Sequence, residues 1–244
     1  MTVGTPRFSD RTLVFLRALK RNNNRDWFRE RRETYEMHVR GPMVAVIERL
    51  SEDLRLFAPD LVASPKVSLY RIYRDTRFSP DKSPLKTHIA AVFPHRQLSK
   101  HEGGSLYFEV NDRRVLIGGG IYLPQSGQLH RIRNHISENF SQFCAIVESP
   151  TFRRHFGEIE GESLQRVPRG FSFDHPAAKY LKLKQYLVSC TYPAIVATRR
   201  SFYSRVLNIF RQSSPLIHFL NEPLLAEQPF PMTGDNWPPL NRRY

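Results

Sequence analysis

The chain has 244 residues and a mass of 28.6 kDa, with 40% hydrophobic and 12% aromatic residues, which excludes a disordered chain and leaves room for one large core or two small ones. No apolar stretch reaches the roughly 18 residues of a membrane-spanning helix and the first residues carry no hydrophobic signal region, so a soluble, cytoplasmic protein without membrane partners is expected. Lysine and arginine total 37 against 23 acids, a net charge of +14 that favours polyanionic partners without naming one.

Ser9 precedes an apolar stripe of Leu13, Leu16 and Leu19 that the Asn22–Asn24 triplet breaks, which predicts a first helix. Asn24 then caps a second helix with Trp27, Phe28, Arg31 and Tyr35. After Gly41 and Pro42 a third runs through Met43, Ile47, Leu50 and Leu54 until Pro59. From Lys66 the texture changes to short runs of Val, Ile, Tyr and Phe, and 66–74, 88–94, 105–110 and 114–122 read as strands. Asn111 and Asp112 supply turn chemistry, so the last two strands should form an antiparallel hairpin. Helices return from Pro124 through Ile136, at 140–147 and near 152–156; 184–191 is one more strand. A helix from Thr198 or Arg199 to Gln212 is followed by a final one starting at Ser214 and Pro215, with serine at N-cap and proline at N1. The prolines after Glu222 predict an extended tail over 227–244. No linker divides the chain, so 1–226 is expected to be one α+β domain with a predominantly antiparallel sheet of four to six strands. The two cysteines, Cys144 and Cys190, have no ligand spacing and read as small buried hydrophobes.

Residues 68–88 concentrate charge as no other stretch does. Along a strand Arg71 and Arg74 point to opposite faces, so whichever is covered must meet a carboxylate or a ligand, because an unpaired buried guanidinium is too costly. Asp75 and Asp81 are the nearby carboxylates. The following loop carries Arg77, Lys82, Lys86 and His88, a mixture of arginine forks and ammonium groups suited to phosphate or carboxylate. The alternative is that the arginines and aspartates form an internal salt-bridge network. Magnesium on Asp75 and Asp81 is a further conceivable use.

A second constellation spans 166–184. There Asp174 is placed to cap a helix starting near Pro176, and His175, Arg169 and Lys182 lie close by in sequence. His175 oriented by Asp174 is a candidate acid–base pair, with Asp75 as a further carboxylate; a hydrogen-bonded structural histidine is the alternative. Gly118–Gly120 resembles a phosphate loop only superficially, since no nucleotide fingerprint follows, and close strand packing would also require glycine. His130, Arg131 and Arg133 follow on the next predicted helix. No metal-binding pattern, nucleophile elbow or cofactor motif is present, so no cofactor is named.

Asn23-Asn24-Arg25-Asp26-Trp27-Phe28, the run 68–88, Gly118-Gly119-Gly120-Ile121-Tyr122, Ile132-Arg133, Pro168-Arg169-Gly170-Phe171 and Asp174-His175-Pro176-Ala177 together resemble the uncharacterised family catalogued as domain of unknown function 2461. The likeness extends over about residues 8 to 225 and implies membership without supplying an activity or a site. From the residues themselves the expectation is that the two charged constellations converge in one positive basin. That basin would bind a phosphorylated or nucleotide-like small ligand, as an enzyme site. The alternatives are a non-catalytic module for nucleic acid, or a structural protein whose charge is only solubilising.

Overall fold

In the computed structural model, which describes residues 5–77 and 79–225, ten α-helices and four strands form an α+β fold. The expected tail at 227–244 lies outside the described residues. Helix α1 (Asp10–Arg21) starts at Ser9, as the sequence indicates, and α2 (Arg25–Glu30) is capped by Asn24, whose side chain accepts from the Trp27 N–H. The third helical stretch differs from expectation, because it does not begin at Gly41. It runs on from α3 (Arg32–Tyr35) through a π-helical turn, Glu36–Arg40, into α4 (Gly41–Asp53). Pro42 has no N–H to offer the His38 carbonyl. The Thr12 hydroxyl, from the buried face of α1, donates to that carbonyl instead, so the helix continues past the proline while α1 is fastened across it.

The sheet contains β1 (His88–Phe93), β2 (Ser105–Asn111), β3 (Arg114–Ile121) and β4 (Tyr186–Pro193), all antiparallel and in the order β1-β2-β3-β4. Asn111 makes the β2–β3 hairpin as its turn chemistry requires, its side chain accepting from the N–H groups of Arg113 and Arg114. Period-two alternation sends Leu106, Phe108 and Val110 into the core and leaves Tyr107 and Glu109 half-buried on the other face. The glycine triplet lies inside β3. A Cβ on Gly118 would meet the Val188 carbonyl oxygen at 2.0 Å, so glycine here permits close strand pairing and cradles nothing.

Two expectations fail for identifiable reasons. Residues 66–74 do not form a strand: Pro65–Ser68 is a single helical turn, α5, capped by the Ser64 hydroxyl, and the chain then touches β1 only at the Leu69–Ala91 bridge and the Tyr70 N–H to Ala90 carbonyl bond. Ser214 and Pro215 do not start a new helix either, because α10 (Phe202–Leu225) passes straight through them. Ser213 and Ser214 are buried and return their hydroxyls to the carbonyls of Ile209 and Phe210, while Pro215 and Arg211, whose carbonyl it leaves free, lie on the exposed side. Apolar burial on the inner side thus outweighs the local proline signal.

The inner face of the sheet, α1, α4 and the first half of α10 enclose one core cluster. Phe93 and Phe108 pack on Phe210, with ring centres 5.3 and 6.4 Å away. A second cluster forms where α6 (Ser126–Glu138), α7 (Phe140–Val147), α8 (Pro150–Phe156) and α9 (Ala178–Leu181) meet the second half of α10. Irregular chain meets each sheet edge, at Leu69 and Tyr70 beside β1 and at Glu160 beside Leu187 of β4.

The Thr12 hydroxyl also accepts from the Ser9 N–H, so replacing it with an isosteric apolar group strands a carbonyl and a cap donor together. Thr12→Val is expected to lower unfolding free energy by about 1–3 kcal/mol in urea titration, and Thr12→Ser by well under half of that. Equal losses for both variants would contradict this role of the hydroxyl.

Candidate functional site

Before entering β1 the chain runs out past residues 71–74 and back through 84–87, and these two arms pair irregularly. The Lys86 N–H donates to the Ile72 carbonyl and the Arg74 N–H to the Pro84 carbonyl. Proline at 84 cannot donate, so a regular ladder is impossible here. Asn23, just before α2, replaces the missing strand partner: its amide donates to the Leu85 carbonyl at 2.9 Å and its oxygen accepts the Leu85 N–H at 3.1 Å. This two-point clamp holds the returning arm, with Leu85 fully buried beneath it.

At the tip the loop neutralises itself. Arg77 makes a two-pronged pair with Asp75, at 3.0 and 2.6 Å; Arg74 pairs with Asp81; and Lys82 donates to the Thr76 carbonyl. Hydrogen bonds from Arg77 hold the Asp75 carboxyl down at about 2, and bonds from Ser83 and then Arg74 do the same for Asp81. Carboxylates so stabilised are poor bases near neutrality, and each is already a counter-ion. The salt-bridge network thus accounts for Arg74, Asp75, Arg77 and Asp81. Among the described residues no group of three or more His, Cys, Asp or Glu side chains is arranged to hold a metal ion.

A different group of charges gathers at the base of the loop, on the open face of the sheet. Tyr70 sits level with the small Ala90 and reaches Tyr107 of β2, ring centres 6.4 Å apart, while His101 stacks on it at 6.4 Å. The Nζ of Lys86 lies 4.6 Å from the centre of the Tyr70 ring and that of Lys100 lies 4.5 Å from it. Lys100 also donates to the Val67 carbonyl at 2.6 Å. Glu109 accepts from the Tyr107 hydroxyl and from Arg114, at 2.9 and 3.4 Å. The chain has eight lysines, and two of them approach this one ring, with no carboxylate among the described residues in ion-pair contact with either.

Titration reflects this crowding. Burial, reinforced by the charge of Lys86, brings Lys100 down to about 8. Burial and the charges of Arg71 and Arg74 lower Lys86 as well. His101 is lowered by the water its packed face loses and by both lysines; His88 is lowered by burial against the opposing pull of Glu109. Burial pushes Tyr70 up to about 12 and raises Tyr107 further, so both phenols stay protonated. Such joint displacement marks candidate sites. Arg71 lies exposed at the rim.

The second predicted constellation is elsewhere. His88 is paired with Asn111 at the hairpin end of the sheet, whereas Tyr186, four residues after Lys182, is paired with Ile121 at the other end of the far edge. That places them roughly 14 Å apart across the strands and about 20 Å along them, so the two motifs do not share one basin. The expected Asp174 cap is also replaced. Asp174 is exposed, α9 starts later, and the His175 ring caps the turn by accepting the Ala177 N–H at 3.0 Å. This fixes the other nitrogen as the one meeting the Ser137 hydroxyl at 3.0 Å, so both ring nitrogens are engaged. Arg169 is exposed and Lys182 half-buried. Arg133 is buried and donates to the Leu183 carbonyl, tying α6 to the start of β4.

Tyr70, Lys100, His101, Tyr107 and Glu109 are absent from the sequence-based set. The alternation in β2 carries a usable signal for Tyr107 and Glu109; Lys100 and His101 sit in an aperiodic loop that carries none. A cleft of about 400 Å³ also opens between β4 and α10, where Arg205 lies over the Tyr192 ring. Cys190 beside it is held as a thiol by burial, and its Sγ–H donates to the His155 carbonyl. Neither cysteine is fully buried.

A family model described as a conserved hypothetical protein, DUF2461, matches residues 11–219. The chain belongs to this family. No curated protein and no solved structure matches it. The Asn23 clamp and the Lys86 arm of this DUF2461 chain lie within the matched span, as does the whole Tyr70 cluster. No helix of the described residues is long and apolar enough to cross a membrane.

Because the folded state lowers the Lys100 affinity for a proton, the unfolded chain binds more protons between about pH 8 and the ordinary lysine range, and stability contributed by this group rises with pH there. The wild-type urea midpoint, relative to that of Lys100→Met, is therefore expected to increase from pH 8 to 9.5. At pH 7 the variant is expected to be the more stable by about 1 kcal/mol, since it relieves an unpaired cation. A pH-independent difference would contradict the depressed lysine.

Proposed function

We propose that the open face of the sheet around Tyr70 binds a small anionic molecule, phosphate-bearing or carboxylate-bearing. The observation that carries this reading is the approach of Lys86 and Lys100 to one aromatic ring with no carboxylate partner among the described residues. Two half-desolvated ammonium groups repel each other, and a shared anion reverses the sign of that interaction while accepting charge-assisted hydrogen bonds from both. Arg71 at the rim and His88 at the β1 end supply further donors, and Tyr70, Tyr107 and His101 supply flat apolar surface for the rest of the ligand. Arg74 and Arg77, both candidate ligand donors from the sequence, pair within the loop with Asp81 and Asp75. A local cluster of lysines beside aromatic rings favours a small ligand over the continuous basic stripe that a nucleic-acid strand would follow.

The test is thermal stability and calorimetric titration with inorganic phosphate, sugar phosphates, nucleotides and short oligonucleotides. A ligand at 100 times its dissociation constant is expected to stabilise by about 2.7 kcal/mol. Lys100→Met and Lys86→Met are each expected to weaken phosphate-ligand binding about tenfold or more, and Lys82→Ala by less than twofold. Oligonucleotide binding with a steep salt dependence, weakened by Lys82→Ala and untouched by Lys100→Met, would replace this reading with the nucleic-acid module.

A further inference from the structure

We propose that Lys100 is a nucleophilic amine that forms an imine with an aldehyde or ketone carrying an anionic group, with Lys86 holding that group. The proposal rests on the anion-binding reading of the same site and adds the chemistry of what is bound.

The cluster contains two lysines whose positions differ in a useful way. Lys86 sits on the loop arm clamped by Asn23, its charge facing the ring of Tyr70. Lys100 comes from the β1–β2 connection on the other side and is tethered by the Val67 carbonyl, so its Nζ is aimed by a fixed acceptor as well as by the ring. Lys100 faces the Tyr70 ring and lies within the field of Lys86; His101 and Tyr107 contact that same ring, and Glu109 is engaged by Tyr107 and Arg114. Among the described residues no acid pairs with the Lys100 ammonium. A lysine placed in dry surroundings beside a second cation is the recognised way to obtain a free amine near neutral pH. With its midpoint brought down to about 8, Lys100 holds a far larger unprotonated share near neutral pH than an ordinary lysine.

The step balances without an oxidant or metal. The Nζ lone pair attacks the carbonyl carbon to give a carbinolamine; the C–O bond then breaks, and the oxygen departs as water with the two protons shed by nitrogen. The resulting C=N bond, once protonated, is an electron sink beside a site that already holds the substrate's anion.

The experiment uses the full chain with pyridoxal 5′-phosphate as an aldehyde bearing phosphate, pyridoxal as the phosphate-free control, borohydride reduction, and peptide mass spectrometry over the eight lysines. The expected result at pH 7.5 and equimolar probe is a reduced adduct at Lys100 at least tenfold above any other lysine. It should be competed by inorganic phosphate, formed at least tenfold more slowly with pyridoxal, and slowed to a similar extent in Lys86→Met. Lys100→Arg, which keeps the cation, is expected to retain the phosphate-induced thermal shift and lose trapping, which separates reactivity from folding. Labelling spread over the surface lysines, or centred on another lysine, overturns the proposal. If the phosphate shift persists in that case, the anion-binding reading stands alone; if it is absent too, both fall. Equal trapping at Lys100 by both aldehydes, without phosphate competition, overturns the anionic substrate class and with it the proposal as stated.

Discussion

Tyr70 stands next to the smallest side chain on the outer face of β1, and the space above Ala90 lets its ring lean across to Tyr107. Two loops that are otherwise unrelated, one before β1 and one after it, then bring their lysines to the same aromatic ring. Each ammonium gains a cation–π contact on the order of 1 kcal/mol, and each loses water and acquires a like-charged neighbour. The arrangement persists because the backbone imposes it: Asn23 grips Leu85 at two points, Leu85 is fully buried, and Lys86 is the next residue along. A chain chosen for stability alone would not place a second lysine opposite. Local conflict held in place by a rigid surround is how functional sites commonly appear in otherwise consistent folds.

The framework around that conflict is conventional. Leu106, Phe108 and Val110 against Tyr107 and Glu109 give β2 one wet and one dry face, and α10 closes the dry face with Phe202 and Phe210. One departure is the passage from α3 to α4, where Pro42 would break the helix if hydrogen bonding were confined to the helix itself. A hydroxyl from α1 supplies the partner, so tertiary structure repairs what the local sequence lacks. Pro215 in α10 is accommodated in another manner, by lying on the exposed face while buried serines bond back to their own helix.

These cases show which parts of the fold were legible in the sequence. Caps at Ser9 and Asn24, the turn at Asn111 and the alternation of β2 are local signals, and the elements they announce are present. The strand expected over 66–74 rested on β-branched and aromatic content, and Ser64 with Pro65 instead began a helical turn that left too few residues to pair in register. Helix boundaries at prolines were read locally when distant partners decided them. For the candidate site, Lys86 and His88 were legible because charge is dense around them. Lys100 was not, since nothing in an aperiodic loop says which ring its side chain will find. Convergence of the two charged motifs was the weakest inference, because separation along a chain of this length carries no information about corners of a sheet.

Charge density and available charge turn out to be different quantities. The run 68–88 is rich in cations, yet most of its arginines face aspartates two to seven residues away. Exposed pairs of that kind contribute little stability. Their effect is geometric: they fold the loop tip onto itself and leave the arm that follows to emerge in one direction, with Lys86 on the sheet side. Lys100, in a stretch of unremarkable composition, has no ion-pair partner among the described residues. Two lysines in partly dry surroundings then carry charge that the exposed ion pairs of Arg74 and Arg77 do not offer. The chemistry of the site therefore follows from which charges the fold leaves without partners.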